Sequence, residues 1–101
     1  MIVYIAGKMA GLPDLGRARF RAAAEKLRKE GHIVLSPAEL PDGMPRDRYL
    51  PICLAMIGAA DAVYLLGNYR FSAGANIELR FASYQGKHIF FEKDEAKEKE
   101  T

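Results

Sequence analysis

The chain has 101 residues, half of them apolar, and a formal net charge of +2. That length holds one domain and excludes two, and so small a domain buries only about 60–65% of its unfolded surface. A site built by one protomer would be shallow, so a homo-oligomer with ligand sites near its interface is expected.

The chain opens on a continuous apolar run, Ile2-Val3-Tyr4-Ile5-Ala6, the mark of a strand buried on both faces. A loop follows from Gly7 to Pro13. Asp14 is placed to cap a helix reaching Glu30, with Phe20, Ala23, Ala24 and Leu27 at helical spacing and Gly31 closing it. His32 to Ser36 reads as a second strand, and Pro37 to Pro45 as a loop. Arg46 to Ala60 reads as a helix that Pro51 starts or kinks. Asp61 to Leu66 is a third strand, Gly67 to Gly74 a loop, Ala75 to Gln85 a third helix, and His88 to Phe91 a fourth strand. Residues 93–101 are charged and lack apolar anchors, so a flexible tail is expected beyond one domain spanning 1–92.

Strands alternating with helices predict an α/β domain: a three-layer, Rossmann- or flavodoxin-like fold with a four-stranded parallel sheet in the order 2-1-3-4. Ligands of such sheets bind at the carboxyl ends of the strands, where the strand order reverses. Here that places the loops after strands 1 and 3 together.

Several function classes are poorly supported. The lone cysteine, Cys53, permits no internal disulfide or zinc spacing and reads as a buried, inert thiol. Arg17, Arg19, Arg21, Lys26, Arg28 and Lys29 fall on one solvated helix side, so no nucleic-acid partner is expected. Met1 to Tyr4 lacks a basic start, and no apolar run reaches membrane-spanning length. A cytoplasmic location and no membrane partner are expected. Gly7 to Gly11 is wrongly spaced for a dinucleotide fingerprint. No cofactor and no metal are expected.

The segment Ser72-Ala73-Gly74-Ala75-Asn76-Ile77-Glu78 is the most informative. A glycine-containing turn into a helix offers free N–H groups and the positive end of the helix dipole to an anion. Ser72 adds a hydroxyl, and Arg70 a guanidinium suited to phosphate. An ordinary serine cap is the plainer alternative. If Ser72 or Ala73 is the cap, Glu78 can point back toward the strand ends. Otherwise it is only an acid favourable to the dipole. Tyr4 closes strand 1, where its hydroxyl reaches the cleft or is satisfied in the core. Asp61, His32 and His88 fall at the opposite sheet end, which argues against catalytic roles.

Tyr4-Ile5-Ala6-Gly7, Asp61-Ala62-Val63 and Ser72-x-Gly74-x-x-x-Glu78 together resemble the nucleoside 2-deoxyribosyltransferase superfamily. The last spacing is closest to its 2′-deoxynucleoside 5′-phosphate N-hydrolase branch. The opening Tyr4 to Asp14 is also similar to short phage and bacterial proteins related to it. The resemblance implies that Glu78 is the nucleophile and that Tyr4 orients it. It implies a site role for Asp61, against the strand-end argument. It assigns Ser72 and Gly74 to a phosphate-binding turn, and Gly7 to a close backbone approach by the ligand.

The chain departs from the pattern at three points. Asn68-Tyr69-Arg70-Phe71 replaces an acidic stretch, and Arg70 favours a phosphate. Lys8 stands where relatives carry proline or serine, either as a phosphate ligand or as a surface lysine. The extra C-terminal segment that the transferases lend to a neighbouring subunit is not expected here. The implied reaction is N-glycosidic cleavage of a 2′-deoxynucleoside 5′-monophosphate, by hydrolysis or base exchange. Tyr4 and the helix amino end are expected to hold the Glu78 pKa low. The alternative is a non-catalytic nucleotide-binding module. Either way the partner is a small nucleotide or nucleoside.

Overall fold

The structure is a computed structural model and describes residues 1–92. The tail expected over 93–101 lies outside the described residues. Strand β1 spans Ile2–Ala6, β2 Ile33–Leu35, β3 Ala62–Leu65 and β4 His88–Phe91. They form one parallel sheet in the order β2-β1-β3-β4, as the alternating pattern requires. Helices α1 (Arg17–Lys29), α2 (Arg46–Ala59) and α3 (Ala73–Tyr84) connect them.

The period-two geometry of the strands divides the core into two halves. Val3 and Ile5 of β1 face α1, where Phe20, Ala23, Ala24 and Leu27 cover them. Tyr4 and Ala6 face the other way, toward Cys53 and Ile57 of α2 and Ala82 of α3. One helix therefore lies on one face and two on the other, in three layers. Because both faces are covered, β1 and β3 read as unbroken apolar runs. No helix among the described residues is long and apolar enough to cross a membrane.

The entry to α1 departs from expectation. Asp14 does not cap the helix. Asp14 (φ 49°), Leu15 (φ 54°) and Gly16 (φ 68°) are all left-handed, and Gly16 takes the cap position. The Asp14 carboxylate instead meets Arg17 at 3.0 Å. The Arg17 guanidinium also reaches Asp42, and its Nε donates to the Ala38 carbonyl at 3.4 Å. That single side chain ties the loop after β1 to the loop after β2. Pro51 neither starts nor interrupts α2, which runs continuously through it.

Gly7, directly after β1, is fixed by packing. An added Cβ would stand 2.7 Å from Leu66 Cδ1 and 2.9 Å from its Cβ, so the β1 and β3 ends can meet only at a glycine. Gly7→Ala should destabilise the protein by about 1–3 kcal/mol through overpacking, measured by urea denaturation.

Candidate functional site

The start of α3 is built by Ser72. Its backbone is extended, and its Oγ accepts from the Ala75 amide at 3.1 Å, a standard N-cap. The Asn76 side chain gathers the preceding loop by donating to the carbonyls of Ser72 (2.8 Å), Tyr69 (3.3 Å) and Arg70 (3.4 Å). With Ala75 satisfied, the amides of Ala73 and Gly74 take part in no hydrogen bond among the described residues. They open the helix toward solvent as donors. The space beside Gly74 is also open: an added Cβ would meet only Ser72 Oγ, at 3.9 Å. Nothing in the fold itself therefore demands a glycine there, although glycine in a helix costs about 1 kcal/mol relative to alanine.

Glu78 lies one turn beyond Gly74, on the same helix face as the buried Ala75 and Ala82. It retains 7% of its surface exposure, and no ion pair compensates it among the described residues. Its ionisable neighbours are Tyr4 from β1 and Cys53 from α2. Tyr4 stands mid-strand, paired with Leu35 and Val63, rather than at the strand end. It is fully buried, and its hydroxyl completes no hydrogen bond of ordinary geometry even though Glu78 and Cys53 adjoin it.

The electrostatics correct one expectation. Burial pushes the Glu78 carboxyl up to about 7, and the Tyr4 and Cys53 hydrogen-bonding groups only partly oppose it. Desolvation of the charged form outweighs the neighbouring dipoles. Burial and the adjacent Glu78 push the Tyr4 hydroxyl far above its ordinary range, so it stays protonated. Burial raises the Cys53 thiol to about 11.

The loops after β1 and β3 meet where the Lys8 amide donates to Asn68 Oδ1 at 3.0 Å. Gly7 and Lys8 thus adjoin the connection that carries Arg70, Ser72, Gly74 and Glu78. Arg70 is exposed, its guanidinium 5.9 Å from the centre of the Tyr69 ring. Asp61 is not brought to this place. It precedes β3 at the amino edge of the sheet, is exposed, and accepts from the Ile2 amide at 2.8 Å. Its carboxylate secures the start of β1, as the strand-end argument indicates.

A family model described as Domain of unknown function (DUF4406) matches residues 1–91. The chain belongs to this family. A search of curated proteins finds no match. Among solved structures, the DUF4406 chain is similar to a 2-desoxiribosyltransferase from Leishmania mexicana. The TM-score is 0.72 at 22% sequence identity, over 89% of this chain and 62% of that one. The shared feature is the fold, and the DUF4406 chain spans about 62% of the transferase's length.

Three residues around this candidate site carry little signal in the sequence. Cys53 reads as core, and only the packing of α2 brings it to Glu78. Asn76, two residues past the glycine, is recognisable as a loop-gathering side chain only once the cap is known. Glu92, just after β4, ties down the loop after β3: its Oε1 accepts from the Gly67 amide at 2.9 Å and pairs with Arg19.

Proposed function

We propose that this protein cleaves the N-glycosidic bond of a 2′-deoxynucleoside 5′-monophosphate, with Glu78 as the nucleophile. The observation that carries this reading is a buried carboxyl with no counter-ion among the described residues, one turn beneath an open helix start. Four residues separate Gly74 from Glu78, a rise of about 6 Å, a span suited to the distance from a 5′-phosphate to the anomeric carbon. The Ala73 and Gly74 amides, the Ser72 hydroxyl proton and Arg70 would hold the phosphate. Structural likeness to a 2-desoxiribosyltransferase supports the same chemical class.

In this scheme the ionised Glu78 attacks the anomeric carbon. The electron pair of the sugar–base bond leaves with the base nitrogen, which takes its proton from solvent. The positive charge that develops on the sugar is stabilised by the carboxylate. The glycosyl ester is then opened by water, or by a second base in an exchange reaction. The Tyr4 hydroxyl beside the carboxylate favours its ionised form.

Incubation with a deoxynucleoside monophosphate, followed by chromatography for free base, tests the reading. Adding a different base separates exchange from hydrolysis. Arg70→Ala should raise KM for monophosphates about tenfold by removing one charge-assisted contact, and should leave nucleosides unaffected. Equal effects on both substrates would remove the phosphate assignment. One observation favours the alternative of a binding module: Asp61, the one acid the family pattern matches for protonating the leaving base, lies at the opposite sheet edge. Calorimetric binding of the nucleotide without base release would decide for it.

A further inference from the structure

One buried nucleophilic side chain, Cys53, has no part in the scheme for Glu78. Helix α2 buries two residues, Cys53 and Ile57, and both pack into the cluster that holds Tyr4 and Ala82. Ile57 only fills space. Cys53 also brings an S–H group to the place where α2, α3 and β1 meet, beside both Glu78 and Tyr4. Burial keeps that thiol protonated, so it serves there as a donor and not as a nucleophile.

The Tyr4 hydroxyl is a separate sign that these groups work together. It is fully buried and completes no hydrogen bond of ordinary geometry, and a group left so in a core calls for a functional explanation. A carboxylate has two oxygens and accepts from several directions. One donor leaves it free to turn about its own stem, whereas two donors from different elements fix its plane. Tyr4 carries a single proton, so β1 supplies one donor, and the thiol on α2 is placed to supply another. Such bonds are often long before substrate arrives and tighten in the reacting complex.

We propose that Cys53 is a positioning residue for Glu78, its thiol holding the ionised carboxylate from α2 while Tyr4 holds it from β1. The proposal rests on the reading of Glu78 as the nucleophile. The other titratable groups on the surrounding elements are engaged or turned elsewhere. On α2, Arg46, Asp47 and Arg48 are exposed, and Tyr49 donates to the Pro41 carbonyl. Tyr64 of β3 lies in the opposite half of the core, and His88 of β4 and Arg80 of α3 are exposed. Arg70 lies over the Tyr69 ring, which packs on Phe91.

Cys53→Ala and Cys53→Ser test this by melting curves across pH and by pH–rate profiles. The thiol favours the ionised form of Glu78, so its loss should raise the carboxyl further. The folded chain then keeps its proton to a higher pH, and the fall of stability with rising pH should extend about half a pH unit higher in Cys53→Ala. The acid limb of the rate profile should move up equally, a loss of about threefold in kcat at pH 6 with KM unchanged. Cys53→Ser restores a donor, and should return both curves to the wild-type position or below it. Each variant is compared with its own melting temperature at about pH 4, so that a constant loss of packing cancels. An unmoved melting window in Cys53→Ala would overturn the proposal and leave Cys53 a packing residue. Equal displacement in both variants would overturn it too, because volume and not the donor would then be the cause. The melts decide this whether or not base is released: a displaced window that serine restores, in a protein that releases no base, would support the hold on Glu78 and count against the cleavage reading alone.

Discussion

Glu78→Gln should stabilise the protein at pH 8 by about 2–3 kcal/mol and abolish release of free base. Burial holds the Glu78 carboxyl at about 7 in the folded protein, against an ordinary value of 4.5. Between those values the folded chain keeps a proton that the unfolded chain releases. Stability therefore falls as pH rises through that window, and above about 7 the full destabilisation is present. The neutral glutamine escapes it. Thermal melts should show the variant roughly 10 °C or more above wild type at pH 8, with the two converging near pH 4. A site that lowers stability in order to hold a charge is the pattern expected of a functional carboxylate. The same ionisation sets the rate: wild-type turnover should rise with pH through about 7. Equal melting temperatures at pH 8 would show that Glu78 is not the buried acid described here.

Tyr4→Phe should separate orientation from packing. The Tyr4 hydroxyl is fully buried and without a protein partner of ordinary geometry. Its removal relieves an unsatisfied group, so stability should hold or rise by about 1 kcal/mol. The hydroxyl is also one of two groups that favour the ionised form of Glu78. Without it, the acid limb of the pH–rate profile should move up by about one pH unit, and kcat at pH 7 should fall by about fivefold. Melting curves together with a pH–rate profile check both parts. A large loss of stability with an unmoved profile would make Tyr4 a core residue and nothing more.

These expectations rest on features that were unequally legible in the sequence. The β1 run, the strand order and the Ser72 cap follow from local pattern, because burial on two faces, alternation with helices and capping chemistry each leave a short-range signature. The inward aim of Glu78 follows from the cap, since six residues past Ser72 the helix turns that position onto the face of Ala75 and Ala82. The raised pKa of Glu78 does not follow, because desolvation depends on what α2 and β1 place over the carboxyl. Cys53 was unreadable as a neighbour of Glu78 for the same reason. Asp14 failed as a cap because the chain enters α1 through three left-handed residues, an arrangement that Gly16 permits but propensity at Asp14 and Leu15 disfavours. The resemblance assigns Gly7 to the ligand's approach; its close packing against Leu66 has no signature in the sequence. For Asp61 the strand-end argument and the family resemblance disagreed, and the position at the amino edge follows the former.

The central claim is that Glu78 becomes bonded to the sugar. Rapid acid quench of the protein with a deoxynucleoside monophosphate, followed by peptide mass spectrometry, tests it most directly. The account predicts a deoxyribose-phosphate adduct on the peptide that contains Glu78, absent from the Glu78→Gln variant. Release of free base by both proteins, with that peptide unmodified throughout, would contradict it.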